Sequence, residues 1–221
     1  MNQNHGHFLD TPKLTDGVTR FWLIRHAVVE ENARMRVYGT LDVPLCPDSL
    51  VAQRGMYEAL AARLPQNAQW FTSPLGRTQH TARIIQEAGY GERDWTVEPG
   101  FLEQSLGAWQ GLRHHELLDQ LKLAPHLFWS VAASERPPGG ESMLDVCARV
   151  GETMDRMAEV HAGRNMIVVS HGGAIRAALA HALRVHADTA LHFSIQNLAL
   201  TIIERFPEAW RIVAVNELPG V

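Results

Sequence analysis

Two short apolar runs that end in histidine are the feature that most restricts how this chain can fold. The run at residues 21–24 leads directly into Arg25-His26, and the run at 166–169 leads into Ser170-His171-Gly172-Gly173. Apolar runs of this length, bounded by polar and turn-forming residues, are typical of buried strands. In open α/β sheets, ligands bind at the carboxyl ends of the strands. We therefore expect both histidines to line one pocket.

Strand and helix patterns alternate along the whole chain, which indicates an α/β fold. We expect a three-layer α/β/α sandwich with a mostly parallel central sheet, an antiparallel edge strand and a small helical lid. Strands are predicted at 18–24, 70–72, 95–97 and 166–169, with a terminal hairpin at 198–203 and 211–215. Helices are predicted at 48–64, 74–88, 141–161 and 172–183, and two short amphipathic helices are predicted between 112 and 131.

Length and composition predict the domain organisation. For 221 residues, 46% of them hydrophobic, we expect one domain over residues 1–221. Within it we expect a flexible tail at 1–17 and a lid insertion at 112–138, called the lid segment below.

Charge and cysteine content restrict the partners and the compartment. A formal net charge of −4 gives no general attraction to nucleic acid or anionic membranes. The polar residues 1–10 do not resemble a secretory signal, and Cys46 and Cys147 have no spacing typical of a zinc site. We expect a cytoplasmic protein with a small-molecule partner and neither nucleic-acid nor membrane binding. Whether it forms a homodimer stays open.

The residues expected to meet at the strand ends suit a phosphate group. The guanidinium of Arg25 matches phosphate oxygens with two parallel hydrogen bonds. The helix predicted after His171 offers amide N–H groups and a favourable dipole at its first residues. Arg77 lies in the first turn of another helix that follows a strand end, and Glu103 lies in a loop after the 95–97 strand. The sequence thus predicts a cationic site with two histidines and one carboxylate.

Each of these residues also has a plainer interpretation when it is considered alone. A single histidine at the end of a strand is more often a hydrogen-bonded interior residue, and Arg77 alone would be a solvated surface charge. The pair Gly172-Gly173 could simply allow a helix to pack closely on the sheet. The matched positions of His26 and His171 favour the functional interpretation.

Six motifs in order resemble the histidine phosphatase superfamily (phosphoglycerate mutase-like, branch 1) from about Phe21 to Asn197. The motifs are Leu23-Ile-Arg-His26 with Asn32, then Gly39 with Asp42 and Pro44-Leu45, Ser73-Pro-Leu-Gly-Arg77, Glu103 to Gly107, Pro138-Gly-Gly-Glu-Ser142, and Val169-Ser-His-Gly-Gly173 followed by Asn197.

The resemblance implies a metal-independent phosphoric monoester hydrolase that needs no cofactor. His26 would be the nucleophile that forms a phosphohistidine, and Glu103 would exchange protons with the leaving group and with water. The groups implied to bind the phosphoryl oxygens are Arg25, Arg77, His171, Asn32 and the Gly172 amide.

One departure from the family pattern concerns the nucleophile's neighbour. The family usually has glycine after the nucleophilic histidine, whereas this chain has Ala27, which puts a methyl group where backbone must approach phosphate or bend. Whether Ala27 weakens activity is left open by the sequence.

Two other functions remain open beside the phosphatase. One is a cofactor-dependent phosphoglycerate mutase, although the stretch between Gly111 and Pro138 looks short for that activity. The other is a non-catalytic module that binds phospho-ligands. The resemblance offers sugar phosphates, phosphoglycerates, α-ribazole phosphate and phosphoproteins as substrates, without selecting one.

Two further hypotheses concern the remaining charged and metal-binding residues. Arg113 and Arg136 are predicted to select substrates with a second anionic group. No metal site is predicted, because neither His114-His115-Glu116 nor His5-Gly-His7 has the i,i+4 helical spacing of a ready-made zinc site.

Overall fold

The order of the strands decides which loops meet at the sheet edge. A computed structural model describes residues 18–220, and within these residues six strands form one sheet in the order β3-β2-β4-β1-β5-β6. The tail predicted at 1–17 lies outside the described residues. The strands are β1 (Thr19–Arg25), β2 (Gln69–Thr72), β3 (Trp95–Val97), β4 (Asn165–Ser170), β5 (Leu200–Arg205) and β6 (Trp210–Glu217).

The pairing directions confirm the predicted mixed sheet. β1, β2, β3 and β4 are mutually parallel, and the β1–β4 register runs from Arg20↔Asn165 to Arg25↔Ser170. β5 is antiparallel to both β1 and β6, so the predicted hairpin forms the antiparallel edge with two strands. Parallel pairing requires crossover connections, and helices supply them.

Helices cover both faces of the sheet. They are α1 (Glu31–Arg34), α2 (Pro47–Ala52), α3 (Arg54–Arg63), α4 (Gly76–Ile85), α5 (His114–Leu118), α6 (Met143–Val160), α7 (Gly172–Leu183) and α8 (Ala187–Ala190). Alternate residues of β1 and β4 enter two separate cores, because strand side chains alternate between faces. Phe21 and Val168 pack in the core that contains α6 and α7, whereas Trp22 and Val169 pack in the core that contains α3 and α4. The three-layer sandwich is confirmed.

Two predicted helices differ from the structure at their interiors or ends. The helix predicted at 48–64 is divided into α2 and α3 at Gln53, whose backbone leaves the helical region. The helix predicted at 74–88 begins at Gly76 and ends at Ile85. A wide turn over Gln86–Tyr90 follows, and within this turn Gly89 has a φ of 127°. Glycine adopts this conformation without strain.

The lid segment contains only one of its two predicted helices, so that prediction was wrong. α5 is the single α-helix between residues 112 and 138. Further along, the amides of Lys122 and Leu123 donate to the buried Glu135 carboxylate over 3.2 and 2.8 Å, instead of to helical carbonyls. Leu127 is 87% exposed, so the apolar residues there do not form a buried stripe. Within residues 18–220, no helix has both the length and the apolar character needed to cross a membrane.

A buried ion cluster fastens the far end of the central strands. Glu204 in β5 is fully buried, and its carboxylate accepts hydrogen bonds from Arg20 in β1 and from Arg211 in β6. The Nε atoms of the two arginines lie 2.7 Å from its oxygens. Because both guanidinium groups are always charged, the buried Glu204 carboxylate forms an ion pair with each of them.

We expect Glu204→Gln to lower the free energy of unfolding by about 3–5 kcal/mol, since the change removes the buried negative charge that binds both guanidinium groups. Glu58→Gln is the matched control, because Glu58 pairs with Arg54 on the exposed surface of α3. That change should cost about 0.5 kcal/mol or less. Urea unfolding of both variants measures the difference, and equal losses would contradict this account of Glu204.

Candidate active site

Two histidines lie side by side where β1 and β4 end. The last register pair is Arg25↔Ser170, and the His26 amide continues the ladder by donating to the Ser170 carbonyl over 2.9 Å. His26 directly follows β1, and His171 directly follows β4. The centroids of their rings are 5.2 Å apart. Both rings are buried, with 2% and 0% of the residues exposed. The structure therefore brings together the two residues that opened the sequence analysis.

The hydrogen bonds of the two rings determine which nitrogens are available for chemistry. His26 Nδ1 lies 2.7 Å from the Ala27 carbonyl oxygen. Since a carbonyl only accepts, Nδ1 carries the proton and Nε2 keeps its lone pair. His171 Nε2 lies 2.7 Å from Ser73 Oγ, and His171 Nδ1 is buried without a hydrogen-bond partner in residues 18–220.

The environment keeps both rings neutral. Burial, followed by the positive charges of Arg77 and Arg25, lowers the pKa of His26 well below its usual value of 6.5. Burial also lowers the pKa of His171 well below 6.5, with further contributions from His26 and the same two arginines. A neutral His26 beside fixed cations has the protonation state that a nucleophile needs.

Backbone carbonyls hold the two arginines in place. Arg77 donates from Nη1 to the Leu41 carbonyl and from Nη2 to the Gly39 carbonyl, each over 2.7 Å. Arg25 Nη1 donates to the Ile195 carbonyl over 2.6 Å. The Nε atom of each arginine is buried without a protein partner in the part of the chain that the structure describes. These two N–H groups and His171 Nδ1 are the polar atoms that a bound phosphoryl group would satisfy.

The side chain of Glu103 contacts the start of α7, the helix that follows His171. Its Oε2 accepts from the Gly173 amide over 3.2 Å, and its Oε1 accepts from the Gln104 amide over 2.9 Å. A Cβ atom at residue 173 would lie 2.2 Å from Glu103 Oε1. The absence of a side chain at Gly173 thus allows the carboxylate to reach the helix N-terminus.

An ion pair that the sequence analysis did not identify supports the Glu103 loop. Arg149 on α6 binds both oxygens of Glu141, over 2.9 and 3.0 Å, and also donates to the Gly100 carbonyl over 2.8 Å. Glu141 in turn accepts from the Ser105 amide over 3.0 Å. Glu141 belongs to the motif Pro138-Gly-Gly-Glu-Ser142 quoted above, whereas Arg149 had no local signal because it lies on a separate helix.

The remaining predicted site residues are divided between the pocket and the surface. Gly172 and Asn197 line the pocket, and Asn197 Nδ2 donates to the His26 carbonyl over 2.7 Å. Asn32 is exposed on α1 and is not among the residues that line the cavity. Asn197 thus holds the backbone of His26, whereas Asn32 lies on the exposed surface of α1, away from the lining of this cavity.

Comparisons with known proteins agree with this geometry. The family model of the histidine phosphatase superfamily (branch 1) matches residues 21–218. The chain belongs to this superfamily. A relative from Cytophaga hutchinsonii, described as a 2,3-bisphosphoglycerate-dependent phosphoglycerate mutase, is 27% identical over 184 residues, covering 82% of this chain and 85% of its own.

Solved structures of two phosphatases have the same fold. A mycobacterial glucosyl-3-phosphoglycerate phosphatase superposes with a TM-score of 0.76 at 27% identity, covering 90% of this chain and 99% of its own. An α-ribazole phosphatase from Shigella flexneri gives a TM-score of 0.73 at 25% identity, covering 91% and 98%.

Ala27, which departs from the usual histidine phosphatase pattern, points away from the phosphate side of the site. Ala27 is fully buried and packs in the apolar core with Ile24 and Leu45. Its backbone has no positive φ, and its amide donates to Thr81 Oγ1 over 3.0 Å. Position 27 therefore needs no glycine.

The histidine phosphatase pocket widens toward additional cationic residues. The cavity encloses about 290 Å³. Arg136 instead bonds to Asp145, and in the described residues neither Arg136 nor Arg113 lines the cavity, so the role predicted for these two arginines stays a prediction. The cationic residues that line its outer part are Arg34, Arg36 and His114.

We expect the imidazole of His26 to titrate well below pH 6.5 and to shift upward in Arg77→Gln, because loss of a neighbouring positive charge favours the imidazolium. The shift should be partial, since burial is the larger cause. Arg83→Gln, on the exposed side of the same helix, is the control and should leave the titration unchanged. NMR titration of the ring signals measures this, and an unshifted Arg77→Gln variant would contradict it.

We expect Ala27→Gly to leave kcat/KM within about twofold and to lower stability by about 0.5–1 kcal/mol, because the glycine gains backbone entropy in the unfolded chain and loses a buried methyl group. Turnover and urea unfolding of the same preparation provide both numbers. A tenfold rise in kcat/KM would show that the methyl group does hinder phosphate.

Proposed function

We propose that the protein is a phosphomonoesterase that releases inorganic phosphate from a small phosphorylated metabolite through a phosphohistidine at His26. The observation that carries this proposal is the contact of His26 Nδ1 with the Ala27 carbonyl, which leaves the Nε2 lone pair for phosphorus, together with the buried Nε–H groups of Arg25 and Arg77, which have no protein partner within residues 18–220. Membership of the superfamily, together with the phosphatase and mutase names of the relatives, supports phosphoryl chemistry of this kind.

In the first step of the proposed reaction, His26 Nε2 attacks phosphorus as the bond to the substrate oxygen breaks in line with it. Glu103 gives a proton to the leaving oxygen, which departs as an alcohol. Charge in the transition state spreads over the three equatorial oxygens. Arg25, Arg77 and His171 meet those oxygens, and because their positions are fixed beforehand, little reorganisation is needed during the reaction.

In the second step, Glu103 takes a proton from a water molecule that attacks the phosphohistidine. The P–N bond breaks, inorganic phosphate leaves, and both His26 and Glu103 return to their starting states. The Gly173 amide holds the carboxylate beside the leaving-group side of the site throughout. The guanidinium groups of Arg25 and Arg77 stabilise the phosphoryl charge, so the proposed mechanism uses no metal ion or cofactor.

We favour hydrolysis over phosphoryl transfer because little regular structure covers the site. A mutase must hold its intermediate away from water, and the lid segment contains only the five-residue helix α5. A module that only binds phosphate is the other alternative, but it would have no use for Glu103 held at the α7 N-terminus. Phosphatase activity uses every group of the arrangement.

We expect wild-type protein to hydrolyse p-nitrophenyl phosphate in excess EDTA, and His26→Ala to lose at least about 1,000-fold in kcat, since the covalent path is removed. His80→Ala is the matched control because His80 is exposed on α4, and it should keep full activity. Rapid quenching of the wild type in alkaline detergent should trap a phosphoenzyme that is stable in alkali and lost in acid, and that His26→Ala does not form.

Two results would overturn the proposal in different directions. Phosphate binding without turnover or phosphoenzyme would indicate a binding module. Interconversion of 3- and 2-phosphoglycerate that depends on 2,3-bisphosphoglycerate, and that exceeds phosphate release, would indicate a mutase.

The charge of the outer pocket supports a substrate with a second anionic group. Arg34 is the last residue of α1 and Arg36 lies two residues after it; Arg36 Nη1 donates to the Gly111 carbonyl over 2.8 Å, which holds its side chain at the rim. The His114 ring bonds to the Arg34 carbonyl over 2.9 Å, so α5 is fastened to the end of α1. A carboxylate or second phosphate of the substrate would reach this rim while the first phosphoryl group occupies the histidine site.

We expect Arg36→Gln to lower kcat/KM about tenfold for 3-phosphoglycerate and by less than twofold for glycerol 3-phosphate, which lacks the carboxylate. Arg136→Gln is the control, since Arg136 bonds to Asp145 outside the cavity, and it should affect both substrates equally. Equal losses on both substrates in Arg36→Gln would remove the second-anion assignment.

A further inference from the structure

A second cluster of metal-binding side chains lies at the border of the lid segment, outside the phosphoryl site. It joins His126 of the lid segment to Asp188 on α8 and to His192 just after α8. One possible ligand atom from each of the three residues lies within 4.8 Å of the other two. The rings of His126 and His192 meet edge to face, with centroids 4.8 Å apart.

Local structure explains why the three side chains converge. Asp188 and His192 are four residues apart, and the helical turn of α8 continues past Ala190, since the Leu191 amide bonds to the carbonyls of Ala187 and Asp188. Residues at i and i+4 of such a turn share one face. Sequence inspection did not find this site, because its third member, His126, is distant in the sequence.

We propose that His126, Asp188 and His192 form a binding site for Zn²⁺ or a similar divalent transition-metal ion. Two imidazoles and one carboxylate are a common ligand set for such ions, with water in the fourth position. Zn²⁺ at its usual bond lengths holds ligand atoms about 3.4 Å apart, so each side chain moves inward by only about 1 Å. Asp188 and His192 are exposed and free to make that movement.

Metal binding exchanges one local hydrogen bond. The Phe128 amide donates to His126 Nδ1 over 3.1 Å. If the metal takes Nδ1, it replaces this donor directly; if it takes Nε2, the ring proton moves to Nδ1 and the amide loses its acceptor. The ion therefore competes with one neutral hydrogen bond, which is weak relative to two metal–nitrogen bonds.

The position of the site gives the ion a role as a clamp on the lid segment. Trp129, three residues after His126, lies over the Arg176 guanidinium at 4.8 Å and lines the substrate pocket. Arg176 Nε donates to the carbonyl of Phe193, the residue after His192, over 2.8 Å. An ion bound to His126 and His192 would therefore fasten together the two chain segments that meet at Trp129.

Thermal unfolding of the full-length protein with and without Zn²⁺ tests the proposal. At Zn²⁺ concentrations about 100 times Kd, Tm should rise by about 5–10 °C. His192→Gln and Asp188→Asn, each compared with its own metal-free Tm, should lose most of this rise, and their Kd by isothermal titration should increase at least tenfold. His115→Gln is the matched control from the exposed face of α5 and should keep the full response.

Further variants separate this site from other histidines. The double variant His5→Gln/His7→Gln and the variant His26→Ala should each retain the Zn²⁺ response. Failure of the phosphatase proposal would therefore leave the zinc proposal unaffected, and failure of the zinc proposal would leave the phosphatase proposal unaffected. Mg²⁺ should give no shift, because it prefers oxygen ligands. A Zn²⁺ shift that persists in His192→Gln and Asp188→Asn, a shift that Mg²⁺ reproduces, or Zn²⁺ binding only at millimolar concentration as an adventitious ion would each overturn the proposal.

Discussion

Parallel pairing of β1 with β4 is the constraint on which the site depends. Because the register ends at Arg25↔Ser170, the next residue of each strand leaves the sheet beside its neighbour, and two imidazoles meet at 5.2 Å. Both strands are buried on both faces, so a slip of one residue would move their side chains into the opposite cores. The packing of the two cores therefore determines the spacing of His26 and His171.

Burial of charge at this edge has a cost that the proposed function explains. Arg77 is almost completely buried, and burial lowers its pKa, yet a guanidinium stays charged in proteins. Carbonyls of residues 39 and 41 hold its terminal nitrogens, while its Nε and that of Arg25 have no protein partner among residues 18–220. Unsatisfied buried donors reduce stability. An anion bound there, as the proposal requires, would remove this penalty.

Long buried elements such as β1, β4 and α7 could be predicted from sequence. Their apolar runs, and glycines such as those that begin α7, depend on local geometry. The break at Gln53 could not, because the residues on both sides keep a helical pattern. Nor could Arg149, whose role arises from the packing of α6 against the loop that carries Glu103. The position of Arg34 and Arg36 beside the pocket could not be predicted for a similar reason, since the end of α1 and the residues after it reach the cavity only through tertiary structure.

The lid segment differs from the sheet edge in how its position is determined. Apolar packing holds its two ends, where the buried Leu117 and Val131 join a core cluster with Val37, Leu106 and Trp109. Between them the chain is held by single side-chain contacts: Trp129 donates to Gln104 over 3.1 Å, and His126 meets His192. Each of these single contacts contributes little free energy compared with a packed strand. In the proposed phosphatase, substitutions at the rim would therefore alter which ester enters without disturbing the environment of His26. Phosphoryl chemistry would be fixed by the core, and substrate choice would depend on contacts that single residues can change.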